Sequence, residues 1–200
     1  MTTLHIPTDT EIETYTGRYF DFDSPDPAVV CKEDVAHALS NICRFTGHVY
    51  RYYSVAEHAV MASSYARHMG WSRSQVLACF HHDDAEAYLG DIVRPFKHLL
   101  GDTLRKIEAK IDAAICESFD LPFGPEEFHK PYVKEADNWC LMNEARQLLP
   151  SKGEAWSNQT HNWSSELESV EGPIVPDLGL EPAEAERLYL YSSDVLERLQ

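Results

Sequence analysis

Phe80-His81-His82-Asp83-Asp84-Ala85-Glu86-Ala87-Tyr88-Leu89-Gly90-Asp91 packs two imidazoles and four carboxylates into twelve residues, inside a segment whose flanks read as buried helix. Val76, Phe80, Asp83 and Ala87 fall at i, i+4, i+7 and i+11, so Asp83 lies on or beside the apolar face of that helix. His82 and Glu86 are four apart and Asp83 and Glu86 three apart, so the three side chains can converge near one point. A carboxylate aimed at a core is costly unless something positive meets it, and a divalent metal is the simplest candidate. Taken alone, an adjacent His-Asp pair is more often an ordinary surface or helix-start feature.

Working outward, Ser72-Arg73-Ser74-Gln75 is a capping box that opens this helix, and the pattern predicts that it runs to Leu89-Gly90. Upstream, Ser54-Val55-Ala56-Glu57 is a second capping box. Val55, Ala59, Ala62, Ala66 and Met69 form the stripe of the helix it starts, and Gly70 closes it. His58 sits on the edge of that stripe, either a satisfied core histidine or a ligand that small Ala neighbours let another helix approach. A first helix is predicted from Glu33 or Asp34 to Thr46-Gly47, with Val35, Leu39, Ile42 and Phe45 inward. His37, Asn41 and Arg44 share another of its faces, which reads equally as solvated or as substrate-facing. Residues 1–32 read as extended or looped, broken at Thr16-Gly17 and Ser24-Pro25-Asp26-Pro27.

Downstream, Asp91 follows the helix end, and Arg94-Pro95-Phe96-Lys97-His98 supplies cations in what reads as a loop. Leu104, Ile107, Ile111, Ala114 and Ser118 line one side of a fourth helix whose other side alternates charges as a wet face would. Pro131 opens a fifth at its first turn, with Val133, Asp137, Cys140, Leu141 and Leu148 inward. Asp137 is thus another carboxylate on an apolar stripe, a ligand or a helix-interior Asp bonded to a neighbour. Residues 151–180 read as a long loop with Trp156 and Trp163 as anchors, and 181–200 as a last helix starting at Pro182 with Leu188, Ser192, Val195 and Leu199 inward. The whole is a single all-α domain over 1–200, a compact helical bundle with no convincing strand.

Composition narrows the function. A net charge of −16 argues against a binder of nucleic-acid polymers, which needs a basic footprint. The acidity is uneven, however: Arg44 to Lys110 carries nine Lys/Arg against seven Asp/Glu, whereas Ser151 to Gln200 carries three against ten. The middle third can hold a small anion that the molecule as a whole repels. No apolar run approaches the length of a membrane span, and the start lacks the regions of a secretory signal. Five scattered cysteines without C-x-x-C read as free thiols in a reducing cytoplasm.

Three helices therefore each put unusual polar groups inward: His58, the pair His82-Asp83, and Asp137. Two imidazoles and two carboxylates make a mixed N/O site, suited to manganese, iron, cobalt, nickel or zinc rather than magnesium or calcium.

The spaced set His58, His82-Asp83 and Asp137 resembles the HD-domain metal-dependent phosphohydrolases. Ser-Val-Ala-Glu-His (54–58), His-Asp-Asp-Ala-Glu-Ala-Tyr-Leu-Gly-Asp (82–91) and Lys-Glu-Ala-Asp (134–137) are similar to the 5′-deoxynucleotidase branch. Thr-Gly-Arg-Tyr-Phe-Asp (16–21), Asp-Val-Ala-His-Ala-Leu-Ser (34–40) and Arg-Phe-Thr-Gly-His (44–48) look like its phage version, the compact dATP triphosphohydrolases. The likeness covers roughly residues 12–150. It implies an HD-type bundle, His58, His82, Asp83 and Asp137 as metal ligands, Glu86 as catalytic acid and Asp91 as the carboxylate that aims or deprotonates water. It also implies Arg44 and Phe45 as an Arg-aromatic pair near the substrate, although the nucleotidase branch typically carries Trp where Phe45 stands. Self-association and, for a phage enzyme, a host cytoplasm are further implications.

The chemistry follows from charge. A bound divalent ion offsets phosphate charge and lowers the pKa of its water to about 7. Arg44, Arg94, Lys97 and Lys134 are candidates to clamp phosphate oxygens, and magnesium can accompany the substrate phosphates. Attack at the α-phosphorus of a deoxynucleoside triphosphate releases deoxynucleoside and tripolyphosphate; on a monophosphate it releases orthophosphate. A non-catalytic helical binding module with a relic metal site is the reading from another class, and it gives Glu86 and Asp91 no use.

Overall fold

The computed structural model describes residues 6–154, 172–173 and 177–198. Helices make up its body: α1 (Lys32–Asn41), α2 (Val55–His68), α3 (Arg73–His81), α4 (Glu86–Leu89), α5 (Arg94–Leu100), α6 (Asp102–Ser118), α7 (Pro131–Leu148) and α8 (Pro182–Arg198). The all-α expectation holds. Both capping boxes form, at Ser54 with Glu57 and at Ser72 with Gln75, so α2 and α3 begin where their local chemistry places them. Pro131 occupies the first turn of α7, where its missing N–H costs nothing. Helix α2 is central, packed on α1, α3, α7 and α8, and Val55, Ala56, Ala59, Ala62 and Ala66 are buried in that contact. Cys79, Cys116 and Cys140 are buried free thiols, while Cys31 and Cys43 are free and half-buried. Trp156, Trp163 and Leu199 lie outside the described residues, as does most of the expected 151–180 loop.

Several expectations are corrected. The N-terminal region contains an antiparallel hairpin, β1 (Glu11–Glu13) with β2 (Tyr19–Asp21), too short for an alternation to show. The Thr16-Gly17 breaker is its turn, with Gly17 at φ 80. Phe20 from β2 is buried and stacks on Tyr88, and Asp34 in α1 accepts from Thr14 Oγ1, Thr16 N and Thr16 Oγ1. Helix α1 stops at Asn41 rather than at Thr46-Gly47. Ile42 is extended there, Arg44 N donates to Tyr53 O, and Phe45 and Thr46 adopt left-handed φ of 56 and 55.

Helix α3 stops at His81, before the cluster it was expected to carry. His82 Nδ1 donates to Cys79 O at 2.9 Å, engaging the carbonyl the next helical turn would use. The chain then tightens through Asp84 N to His81 O, Glu86 N to Asp83 O and Ala87 N to Asp84 O before α4 begins. The Arg94–His98 cations belong to a short helix, α5, not a loop. On α8 the buried face is Ala185, Tyr189, Ser193 and Leu196, one position away from the expected stripe. The wet face expected for α6 is only partly wet, because Asp112 is buried.

A candidate metal centre

His58, His82 and Asp137 come from α2, the turn after α3, and α7, and each offers a ligand atom within 4.8 Å of the others. His58 Nε2 lies 3.4 Å from His82 Nε2, 3.4 Å from Asp83 Oδ2 and 3.5 Å from Asp137 Oδ1. Asp83 Oδ2 is also 3.4 Å from His82 Nε2. These separations are long for good hydrogen bonds. Ligands on a tetrahedral ion at about 2.1 Å would stand about 3.4 Å apart, so the spacing fits a shared cation.

The protonation pattern supports the same fit. His82 Nδ1 faces a carbonyl, so in the neutral ring the proton is on Nδ1 and the Nε2 lone pair faces the cluster. His58 Nδ1 lies 2.6 Å from Glu144 Oε1, which likewise directs its Nε2 lone pair inward. Two lone pairs and two carboxylates meeting at one point call for positive charge. Burial and Arg44 lower the His58 pKa, but Glu144 and Asp83 outweigh them and raise it. Burial alone would raise Asp83, but His82, His58 and Arg44 hold it below the usual carboxylate range.

A cavity of about 480 Å³ opens over the cluster, with His82, Asp83 and Asp137 in its wall. Arg94, Lys97 and Lys134 line the same cavity. Arg94 Nη2 reaches Asp137 Oδ2 at 3.3 Å, and Lys97 Nζ bridges Glu86 Oε1 at 3.3 Å and Glu108 Oε1 at 3.1 Å. Glu86 is buried, and its Oε2 and the Asn138 Oδ1 are buried acceptors on that wall without a partner among the described residues. Burial first, then the neighbouring Asp83, push Glu86 well above the usual carboxylate range, with Lys97 opposing.

The structure thus gathers His58, His82, Asp83, Asp137, Glu86, Arg94, Lys97 and Lys134 at one place. Arg44, Phe45 and Asp91 stand differently, since none of them lines the cavity. Arg44 is buried, its Nε and Nη2 on Glu144 Oε2 at 3.2 and 3.1 Å and its Nη1 3.5 Å from Asp83 Oδ2. A guanidinium so engaged orders the carboxylates rather than waiting for a phosphate, because the early end of α1 turns it off the His37 face. His37 itself stacks on Tyr15 and pairs with Glu186 at 3.1 Å, and Asn41 bonds back to His37 O. Phe45 N donates to Asp91 Oδ2 at 2.9 Å. Burial and Asp83 raise the Asp91 pKa against the opposing effect of Arg44 and that N–H.

Glu144 is the functional residue that sequence reasoning missed. It has no exposed surface and receives Arg44, Tyr53 Oη at 3.1 Å and His58. Burial would raise its pKa, but Arg44 and His58 keep it below the usual value. The signal was present, since Glu144 lies seven residues after Asp137 and four before Leu148, on the same stripe. Glu108 and Asp112 of α6, a helix whose charged side is expected to be wet, also line the cavity.

Fold and site together define a mainly helical protein with a candidate His/Asp metal cluster beneath a cavity lined by both carboxylates and cations. The chain belongs to the family that includes the Escherichia coli K12 protein named "Uncharacterized protein YfdR", to which it is 38% identical over 145 residues, 72% of this chain and 76% of that one. A Rhodobacter capsulatus protein, "Uncharacterized protein RCAP_rcc00048", is 33% identical over 138 residues, 66% of this chain and 70% of the other. No family model matches the chain.

Proposed function

We propose that this chain is a metal-dependent phosphohydrolase of the HD type acting on deoxynucleotides, with a deoxynucleoside triphosphate, in the sharpest form dATP, as substrate. The observation that carries the reading is the convergence of His58, His82, Asp83 and Asp137 beneath a cavity whose wall also holds Glu86, Arg94, Lys97 and Lys134. Manganese, iron, cobalt, nickel or zinc held by those four side chains would offset phosphate charge and lower the pKa of a coordinated water. About 480 Å³ is within the size range of small-molecule sites.

The chain's own residues supply the rest. Arg94 and Lys134 receive phosphate oxygens, Arg94 exchanging its contact with Asp137 for one with substrate. Glu86, whose pKa burial and Asp83 raise well above the usual carboxylate range, is the proton donor that faces the leaving group, with Lys97 fixing its other oxygen. Water oxygen bonds to the α-phosphorus, the bond from phosphorus to O5′ breaks, and the Glu86 proton passes to O5′. Asp91, fixed by Phe45 N–H, does not line the cavity, so the proton released by the attacking water passes to solvent in the cavity and Asp91 bears on that water only through its field at Asp83. Magnesium accompanying the triphosphate would balance its remaining charge.

Product analysis tests the proposal. Purified chain with manganese or cobalt is offered dATP, dGTP and dAMP, and tripolyphosphate is separated from orthophosphate. Tripolyphosphate from dATP is expected. Orthophosphate from dAMP alone would move the substrate to the monophosphates, and no hydrolysis with no co-purifying metal would leave a helical binding module.

A further inference from the structure

The ligand pair His82-Asp83 is bracketed by His81 and Asp84, which bind each other instead of joining the cluster. His81 Nδ1 lies 2.6 Å from Asp84 Oδ2. The other Asp84 oxygen, Oδ1, accepts from Tyr189 Oη of α8 at 2.5 Å. All three side chains are buried, at 3%, 0% and 1% exposure. A carboxylate taken wholly out of water must be satisfied on both oxygens, so its position is fixed by both donors. Here one donor belongs to the turn itself and the other to a helix 105 residues away in sequence. The Asp84 N to His81 O bond closes the turn over the two ligands, so whatever holds Asp84 also sets where His82 and Asp83 face.

We propose that Tyr189 is a positioning residue for the metal centre: through Asp84 its hydroxyl holds His82 and Asp83 toward His58 and Asp137, making α8 part of the site. This inference rests on the metal-centre reading and adds to it a helix that the sequence motifs do not reach. Among the described residues, the ties of α8 from Arg73 to Leu196 O and Glu197 O, from Lys32 to Glu197 and from His37 to Glu186 do not touch the ligand turn. The Tyr189 ring packs on Phe80 with centroids 4.6 Å apart, a contact that phenylalanine would keep.

The test is cobalt(II) binding to the full chain, read by chelator competition and by the visible absorption of the bound ion, well below the unfolding temperature of each variant. Tyr189→Phe removes only the hydroxyl. Leu196→Ala loosens the same helix without touching Asp84. Tyr189→Phe is expected to weaken cobalt binding about 10- to 100-fold and to alter the absorption, while Leu196→Ala leaves both unchanged despite an equal or larger loss of stability. Asp84→Asn, which disturbs the grip on His81, is the second variant should the first not fold, and the same weakening is expected. Wild-type affinity and spectrum in Tyr189→Phe would overturn the proposal, as would equal weakening in Leu196→Ala. A wild-type chain that binds no cobalt would overturn the metal-centre reading itself, and this inference with it.

Discussion

A carboxylate without exposed surface, such as Glu144, keeps its charge only because Arg44, His58 and Tyr53 all approach it. Glu144→Ala strands a guanidinium and a histidine in the core, and a loss of about 3–5 kcal/mol in urea-unfolding stability is expected. Glu144→Gln, which keeps the volume and one acceptor, should lose less. Glu86 makes a different case, because its unpartnered Oε2 does little for the fold. Glu86→Gln is expected to cut kcat by about 100- to 10,000-fold while metal content, read by elemental analysis, stays at the wild-type level. Asp112 contributes a pH dependence of its own. Burial first, then Glu108, push it up to about 8, so between its ordinary 3.8 and about 8 the folded chain holds a proton that the unfolded chain releases. Its contribution is full below the unfolded value and is lost as pH rises through about 8. Metal-free chain should therefore resist urea less at about pH 8 than at about pH 5, and Asp112→Asn should shrink that difference.

At the scale of elements, local signals were read where local chemistry decides. The two capping boxes are such signals, and Ser54→Ala is expected to lower stability by about 1–2 kcal/mol, seen as a lower melting temperature. Three of the misread elements share a cause. Helix α1 ends early because Arg44 N pairs with Tyr53 O, α3 breaks because His82 takes Cys79 O, and α8 is rotated by one position because Tyr189 Oη is drawn to Asp84. In each case a polar contact competes with the helical pattern, and hydrophobic periodicity does not register such a contact. Helix α5 carries no buried residue, so no apolar stripe announced it.

At the scale of the whole molecule, no helix among the described residues is long and apolar enough to cross a membrane, and the charge of −16 surrounds a cavity that nonetheless presents Arg94, Lys97 and Lys134. A cation bound by three separate segments should stabilise the entire fold through linkage. Manganese or cobalt at about 100 times its dissociation constant is expected to add about 2.7 kcal/mol, seen as a rise in melting temperature that Asp137→Ala abolishes. The sequence by itself determined where most helices begin and which imidazoles and carboxylates sit on apolar stripes, because capping and periodicity act within a few residues. The tertiary structure alone decided that Arg44 would serve Glu144, that α6 would bring Asp112 into the cavity, and that Tyr189 of α8 would bond Asp84. Those outcomes depend on which helix packs against which, with partners about a hundred residues apart, 100 for Arg44 with Glu144 and 105 for Tyr189 with Asp84, and no local pattern encodes that choice.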